Sequence, residues 1–480
     1  MTTRVEHAIC HGLNISTFIR GGGLQYADRH FFMSRPPVII CGASVRSLAA
    51  SAIQCGWAPI CFDFFADTDL IQLLQRSGGK FAGQLRSFRD LPSILDAISG
   101  EVPLVWCGGM ENYPSTLAEL ALMRPVIGPT VDSVMAVRNT ESLRGTLNDC
   151  GVYLPENAPD TGGDQEQRWL IKPIHSSGGQ HIRLLDSAGD LAAVSPDFQY
   201  QRFIDGCPIS ATFVATAAST RLIGCSLILS GVQSLNASGF QFCGNIGPVV
   251  LPQLLQDRLI RAAQAVTSRT QLRGAFGVDM ILKEGELWLL EINPRITASH
   301  EIYELSSNRN LFAEHVAAVS NTDPNAHLRS PAVTHMPDQW STVLRLIVYS
   351  RSEEALDAGS HFSSLNSTGE TFHETGRYWL ADLPGEQVKP QISSPSSPAI
   401  PVPCCSVYVA IRRGLKKADS TPSVFLENDV RTACRLLQSG RPLNKITKLG
   451  GQVSPLVDWR RFEQELKSAM QQFRLHVHSK

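Results

Sequence analysis

The chain has 480 residues, 43% of them hydrophobic and 18% charged, which allows two to four globular domains with substantial cores. Lys and Arg total 43 against 44 Asp and Glu, which excludes a global field that would recruit nucleic acid or an anionic membrane. No apolar run approaches the ~20 residues that span a bilayer, and the first 20 residues lack a signal-peptide core. The 12 cysteines show no metal-type CxxC spacing, so reduced thiols in a cytoplasmic protein are expected.

The N-terminal part indicates a small parallel sheet. Residues 1–35 are predicted to be a lead-in, and residues 36–130 to be an α/β domain in which strands alternate with helices. Its predicted strands are Val38–Cys41, Pro59–Asp63 and Pro103–Cys107. Parallel strands ending in turns at one edge form a crevice there, which is where such sheets bind ligands. The turn at Gly42 lacks GxGxxG and is therefore no dinucleotide-binding fingerprint.

Polar residues follow two of these strands. Arg46 is open to two interpretations, binding of an anionic substrate or a surface position at a helix start. Glu111 and Asn112, which follow Gly109, are open to the same alternatives.

A lysine-bearing strand opens the next region, after a helix predicted over 134–150 and a polar loop at 160–168. Lys172 lies in the apolar run Trp169–Pro173, where a buried ammonium needs an anionic partner such as phosphate. The turn that follows, His175 to His181, is rich in Ser and Gly, and its backbone N–H groups could cover phosphates. It lacks the GK[ST] of a P-loop. An ordinary surface turn is the alternative interpretation.

A second strand runs from Phe198 into a turn at Gly206. It could offer backbone hydrogen bonds to a base edge, although its composition does not require this. Further strands are predicted up to Leu229, and an amphipathic helix is predicted over 251–269.

Two strands after residue 275 are predicted to form a hairpin. A three-residue loop, 284–286, would set Lys283 opposite Leu287 and Asp279 opposite Glu291. Strand periodicity puts Asn293 on the face of Glu291. The core-facing positions are then Val278, Met280, Leu290 and Ile292.

Two carboxylates directly opposite each other are destabilising unless a cation lies between them. Mg²⁺ uses one or two carboxylates together with substrate phosphates in this way. The alternative is a surface hairpin whose acidic pair lies in solvent. Arg295 favours the metal interpretation, because a guanidinium beside such a site can stabilise charge on a transferring phosphoryl group.

The C-terminal region, 326–480, is predicted to be α+β. Its predicted elements are strands at 342–349 and 406–411, a Pro/Ser-rich loop at 390–403 and helices at 424–438 and 458–473.

The order of a lysine strand, a glycine flap, a hinge strand and a carboxylate hairpin ending in Asn293-Pro294-Arg295 resembles the ATP-grasp superfamily. The resemblance covers roughly residues 36–325. It implies a Rossmann-like pre-ATP-grasp domain over 36–130 and a two-subdomain clamp over 131–325. Trp379–Pro384 and the strand at 405–410 look like the tail of predicted carboligases related to biotin carboxylase.

The resemblance also implies roles for individual residues. Asp279, Glu291 and Asn293 would bind Mg²⁺ or Mn²⁺, and Arg295 would stabilise the acyl-phosphate transition state. Arg138, placed at the start of the helix before Gly151, would be a second phosphate-side cation beside Lys172. The remaining nucleotide-binding positions would be Ser176, Ser177, Gly178 and Gly179 in the flap and Gln201, Arg202, Phe203 and Ile204 in the hinge.

The expected reaction joins a small-molecule carboxylate to an amine through an acyl phosphate, with ATP cleaved to ADP and phosphate. His300 could accept the amine proton, or it could be a structural donor. Biotin carboxylases place a base where Ser299 stands, and no biotin-attachment segment is present, so amide formation is favoured over carboxylation. Glu301 is the residue that could shift into such a base role.

Two alternative functions stay open. One is a biotin-independent carboxylase acting through carboxyphosphate, and the other is an ATP-binding regulatory module without catalysis. Neither nucleic acid nor membrane is expected as a partner. Because related clamps are often dimers, a homodimer is one expected assembly.

Overall fold

The computed structural model describes residues 35–98, 100–157, 168–174, 177–185, 197–307, 309–322, 342–349, 371–373, 376–381, 403–411 and 459–478. The predicted helix at 424–438, and all but the last residues of the predicted lead-in and Pro/Ser-rich loop, lie outside these ranges. Among the described helices, none combines the length and apolar character needed to cross a bilayer.

The first sheet is parallel, with the strand order β3-β2-β1-β4. Its strands are β1 (Pro37–Cys41), β2 (Ala58–Asp63), β3 (Lys80–Gln84) and β4 (Leu104–Trp106). Its helices are α1 (Arg46–Gln54), α2 (Thr68–Ser77), α3 (Leu91–Asp96) and α4 (Pro114–Met123). The parallel pairing of these strands confirms the predicted sheet. Strand β1 is buried on both faces, as its apolar run requires. The edge strand β3 is half-exposed and carries no apolar run, so the sequence pattern does not reveal it.

The helical structure predicted over 134–150 is confirmed, but it consists of two α-helices separated by a 3-10 turn rather than one continuous helix. Helix α5 (Val131–Arg138) ends at Arg138. The Asn139 side chain accepts a hydrogen bond from the Ser142 amide, which starts a 3-10 turn (Thr140–Leu143) before α6 (Arg144–Asp149). Arg138 therefore ends a helix rather than starting one.

The second sheet is the main one, with the order β15-β16-β17-β14-β11-β10-β9-β12-β13-β5. All neighbours are antiparallel except β13 and β5. Its strands are β5 (Val152–Tyr153), β9 (Cys207–Ala215), β10 (Thr220–Ser230), β11 (Phe242–Val249), β12 (Gly274–Lys283), β13 (Glu286–Asn293), β14 (Thr342–Tyr349), β15 (Thr371–His373), β16 (Gly376–Ala381) and β17 (Pro403–Ile411). The sheet thus continues across the predicted boundary at 325.

A third sheet is antiparallel and has the strand order β7-β6-β8. Its strands are β6 (Trp169–Pro173), β7 (Arg183–Leu184) and β8 (Phe198–Arg202). The remaining helices are α7 (Gln253–Thr270), α8 (His300–Ser306), α9 (Leu311–Ser320) and α10 (Trp459–His478). Helix α7 buries an i, i+3/i+4 stripe that includes Leu255, Leu259 and Val266, as its amphipathic sequence predicts.

One core cluster joins the parallel sheet to the main sheet through α8 and α9. It contains Leu48 of α1 and Ala275 of β12 together with Phe312 of α9. His315 completes this junction, because its Nδ1 accepts from the Ala275 amide at 2.9 Å and its Nε2 lies 3.0 Å from the Ile127 carbonyl oxygen. Burial lowers the pKa of His315 to about 4, against the weaker opposing effect of the bond to Ile127.

We expect this histidine to make the fold acid-sensitive. The unfolded chain binds a proton near pH 6.5 that folded His315 does not take up until about pH 4. Stability is therefore lost as the pH falls through this window, by up to about 3 kcal/mol. Urea unfolding at several pH values checks this against His315→Gln, which should be less stable at pH 7 but show a shallower loss in acid. Parallel pH curves for the two proteins would contradict it.

Candidate nucleotide and metal site

The hairpin of β12 and β13 turns in two residues rather than three. Glu284 and Gly285 both have positive φ, 49° and 75°, as a type I′ turn requires. Lys283 pairs with Glu286. The predicted three-residue loop, with Lys283 opposite Leu287, is therefore wrong, because Glu286 belongs to the ladder.

A β-bulge nevertheless restores the predicted carboxylate pair. Met280 pairs with Leu289, and the next pair is Asp279 with Glu291, so Leu290 is skipped. Leu290 lines the cavity, and its predicted position on the core face is wrong. The other predicted core-facing residues are buried as expected: Val278, Met280 and Ile292.

Three polar side chains meet at this end of the hairpin. Asn293 Nδ2 donates to Asp279 Oδ2 at 3.0 Å and to Glu291 Oε1 at 3.2 Å. Burial and repulsion from Glu291 raise the pKa of Asp279. Burial would raise the pKa of Glu291 as well, but the charges of Lys172 and Arg295 outweigh it and lower that pKa. Two carboxylates this close repel each other, and a cation bound between them would offset that repulsion.

The donor set fits a hard divalent ion. Within the described ranges, no three His, Cys, Asp or Glu side chains are arranged to hold a metal. The carboxylates of Asp279 and Glu291 would leave other positions to water or phosphate, as Mg²⁺ prefers. The Asn293 amide oxygen accepts from Arg295 in this structure, so it would join the two carboxylates only after the amide group rotates.

Arg295 lies between the hairpin and the parallel sheet. Its Nε donates to Glu111 Oε1 at 2.9 Å, and its Nη2 donates to Asn293 Oδ1 at 3.0 Å. Glu111 is 3% exposed, and its other oxygen accepts from the Gly109 amide at 2.8 Å. Glu111 was open to two interpretations, substrate binding or a surface position. Neither applies, because this buried carboxylate holds Arg295 in place.

The two other predicted cations also act on this cluster. Lys172 lines the cavity, and its charge lowers the pKa of Glu291. Arg138 donates to Asn112 Oδ1 at 2.8 Å, and its charge has the same, weaker effect on Glu291. Both therefore lie within electrostatic reach of the carboxylate pair.

The glycine flap packs against the loop before β11. Gly178 and Gly179 have φ of 66° and 70°, and a Cβ on Gly179 would lie 1.9 Å from the Phe240 carbonyl oxygen. The Gly178 carbonyl accepts from the Phe242 amide at 2.8 Å. Ser177 lines the cavity with both glycines, whereas Ser176 lies outside the described residues.

The hinge residues Gln201, Arg202, Phe203 and Ile204 all line the same cavity. The Phe203 amide donates to the Arg168 carbonyl at 2.9 Å, so this strand end is fixed by its own sheet. The Arg202 guanidinium pairs with Glu156 at 3.1 Å.

His300 also lines the cavity, at the start of α8. Its Nδ1 is 2.8 Å from the Thr297 carbonyl oxygen, and its buried Nε2 has no hydrogen-bond partner. Next to it, Glu301 accepts two bonds from Arg46 Nη2, at 2.9 and 3.1 Å. Arg46 is thus buried in an ion pair, and Glu301 is committed to that pair rather than placed as a base.

All of these walls enclose one cavity of about 820 Å³. Two of its components were not predicted. Arg345 lines it from β14. It is a single cation in the apolar run Thr342–Tyr349, as Lys172 is in its own strand, and this pattern indicates an anionic partner in the same way. Helix α10 lines it with Phe462, Glu465, Leu466, Ser468, Ala469 and Gln472.

Known proteins are similar to this chain over the segment that carries these motifs. A family of ATP-grasp domains matches residues 140–299. The chain contains an ATP-grasp domain. That span includes the lysine strand, the flap, the hinge and the carboxylate hairpin, so the resemblance predicted from those motifs is confirmed.

Relatives of this ATP-grasp domain occur in several proteins. The chain is 24% identical to an uncharacterised protein of Methanocaldococcus jannaschii over 39% of its own length and 48% of that protein. It is 26% identical to the formate-dependent phosphoribosylglycinamide formyltransferase of Mycolicibacterium gilvum over 34% of its own length and 44% of that enzyme. The chain thus spans about half the length of these curated relatives.

The overall fold is similar to that of the biotin carboxylase–β,γ-ATP complex from Campylobacter jejuni. The TM-score is 0.55 at 12% identity, covering 83% of this chain and 90% of that one. The mixed α/β class predicted from the sequence is confirmed at this level.

Proposed function

We propose that the protein is an ATP-dependent ligase that activates a carboxylate as an acyl phosphate and transfers the acyl group to an amine. The meeting of Asp279, Glu291, Asn293, Lys172 and Arg295 at one end of the cavity carries this proposal. Such a set can neutralise phosphate charge from both sides, which is the main requirement of phosphoryl transfer.

Each group has a distinct task. Asp279, Glu291 and Asn293 would hold Mg²⁺ or Mn²⁺, which when bound neutralises charge on the phosphate oxygens. Lys172 and the flap amides would hold the phosphates, and the hinge strand would hold the base. Arg295, kept in place by Glu111, would stabilise the oxygens on which charge develops.

The chemistry needs two displacements. A carboxylate oxygen attacks the γ-phosphorus of ATP, the bond to the β,γ-bridging oxygen breaks, and ADP leaves. The amine nitrogen then attacks the carbonyl carbon, the bond to the phosphate oxygen breaks, and inorganic phosphate leaves. His300 accepts the proton that the nitrogen loses. The flap and the walls of the cavity exclude water from the acyl phosphate, which would otherwise be hydrolysed.

Amide formation is favoured over carboxylation by the contacts around α8. Ser299 occupies the base position of biotin carboxylases and contacts Thr212 and Thr297 at 3.2 and 2.9 Å. Glu301, the only substitute that the sequence pattern offers, is engaged by Arg46. A regulatory module would not need Arg295 to be anchored by a buried carboxylate.

The proposal includes the domain division predicted from the sequence. Residues 36–130 would be the pre-ATP-grasp domain, 131–325 the clamp and 326–480 a C-terminal region that completes the main sheet. A cytoplasmic homodimer acting on small molecules is part of the same proposal.

The decisive experiment couples thermal shift to ADP release. MgATP should raise the melting temperature, and only the correct carboxylate and amine should then drive ADP and phosphate release together. ADP release that depends on bicarbonate instead of an amine would favour the carboxylase. Nucleotide binding without turnover across the whole panel would favour the regulatory module.

A further prediction concerns helix α10, which lines the part of the cavity where the base of ATP would bind. The Gly285 amide donates to the His476 carbonyl at 3.0 Å, and Ser234 Oγ donates to Glu465. These bonds fix the helix to the turn between β12 and β13 and to the segment after β10, and the helix lines the same cavity as the hinge. Ala469→Trp should fill the cavity there and weaken binding of MgATP at least ~10-fold, because the added ring removes space for the base. Isothermal titration measures this, with Gln464→Trp on the exposed face as the control. Equal affinities for the two variants would contradict a nucleotide at α10.

A further inference from the structure

The first half of helix α10 is joined to the segment of the chain that also holds the glycine flap. Ser234 Oγ donates to Glu465 Oε2 at 2.5 Å, which fixes the helix to the segment between β10 and β11. At the end of that segment, the Phe242 amide donates to the Gly178 carbonyl at 2.8 Å. Phosphates held by the flap amides would therefore lie on this side of the helix.

The second half of α10 lies toward the hinge. The His476 carbonyl accepts from the Gly285 amide at 3.0 Å, at the turn that follows β12. The hinge ends beside the same part of β12, because a Cβ on Gly206 would lie 2.6 Å from the Leu282 carbonyl oxygen. With the phosphates at the flap and the base at the hinge, as in the proposed function, the sugar of the nucleotide lies between them, along this helix.

Glu465 places a carboxylate on this stretch of the cavity wall. Among the described residues, the other acidic side chains that line the cavity already have partners or a role. Asp279 and Glu291 belong to the proposed metal site. The Asp205 side chain is 73% exposed and pairs with Arg168 at 3.0 Å, whereas that of Glu465 is 25% exposed. Glu465 is therefore the partly buried acid on the nucleotide side of the metal site.

The Glu465 carboxylate is held in place and can still accept a hydrogen bond. Oε2 accepts from the hydroxyl of Ser234 and, at 3.4 Å, from its amide. Oε1 accepts from Arg461 Nε at 3.1 Å. An ionised carboxylate has about four lone-pair positions on its two oxygens, so Oε1 can take one further donor. A sugar hydroxyl is such a donor, and dinucleotide-binding folds also bind the ribose 2′-hydroxyl with a carboxylate.

We propose that Glu465 binds the 2′-hydroxyl of the nucleotide and makes the protein select ribonucleotides over 2′-deoxyribonucleotides. The hydroxyl donates to Oε1, while Ser234 and Arg461 keep the carboxylate in position. This inference rests on the proposed function, because it takes the cavity to be the ATP site. It assigns the selection of the sugar to a side chain of the C-terminal region.

Isothermal titration with the magnesium complexes of ADP and 2′-deoxyADP tests this without turnover. The unmodified protein should bind ADP roughly 10-fold more tightly than 2′-deoxyADP, because a hydrogen bond to a charged group contributes that much. Glu465→Ala should weaken the binding of ADP and leave that of 2′-deoxyADP nearly unchanged, so that the ratio of the two affinities falls to about one. The isosteric Glu465→Gln keeps a neutral acceptor and should give a ratio of roughly three, which tests the inference if Glu465→Ala does not fold.

Arg461→Ala is the matched control, because it breaks the same ion pair from the other side and leaves the carboxylate in the cavity. It should retain the ratio of the unmodified protein. A structural role of Glu465 would weaken the binding of both nucleotides alike, so an unchanged ratio in the Glu465 variants would overturn the inference. Equal binding of both nucleotides by the unmodified protein, or a ratio in Arg461→Ala as low as in Glu465→Ala, would also overturn it. No binding of either nucleotide to the unmodified protein would instead overturn the ligase proposal itself.

Discussion

Replacing Glu291 with Gln is expected to lower substrate-dependent ADP release by about 10³-fold or more. The change keeps the shape of the side chain but removes one of the two charges that would hold a divalent ion, whose stabilisation of phosphate charge amounts to several kcal/mol. A coupled assay for ADP measures the rate, and a magnesium titration of ATP binding should show the lost metal dependence.

The same substitution should leave the fold intact, which separates a functional loss from unfolding. Glu291 raises the pKa of Asp279, so removing its charge relieves repulsion inside the cavity wall. Gln also loses the attraction of Glu291 to Lys172 and Arg295, which offsets this relief, so the melting temperature of Glu291→Gln without ligands should stay close to that of the unmodified protein. Glu286→Gln, on the same strand but at the turn, is the matched control and should retain activity. Normal ADP release from Glu291→Gln would refute the metal assignment.

The sequence pattern predicts well those charged residues whose position is unfavourable unless a ligand is bound. A lysine in an apolar strand and acidic residues spaced to oppose each other on a hairpin are costly arrangements without a ligand, so Lys172, Asp279 and Glu291 were predictable. Arg345 carried the same signal in a strand just as apolar. The register of the hairpin was harder, because the short turn and the bulge at Leu290 displace the pairing in opposite directions and cancel at Asp279.

Long-range partners were not predictable. Glu111 and Arg295 are separated by 184 positions, and their pairing depends on how the parallel sheet packs against the main one. The position of α10 was not predictable either. Its amphipathic sequence predicts a helix, but not that this helix lines the cavity. Local periodicity fixes which face of an element is apolar, whereas the packing of distant elements decides what that face meets.

Arg295→Gln is expected to abolish ADP release and to destabilise the fold. The substitution leaves Glu111 buried beside the Gly109 amide without its cation, and an unpaired buried charge costs roughly 3–5 kcal/mol. Arg295→Lys keeps the charge but loses the planar fork that reaches both Glu111 and Asn293. Its turnover should fall by about 10²–10³-fold with a smaller loss of stability.

The double variant Arg295→Gln/Glu111→Gln separates the two roles of the pair. Because it removes both charges together, urea unfolding should show that it regains most of the stability lost in Arg295→Gln, while ADP release should stay absent. Glu111→Gln alone should keep some activity, since the cation is present but less firmly held. A double variant that regained activity, or an Arg295→Lys protein with normal turnover, would show that the guanidinium supports the structure without taking part in phosphoryl transfer.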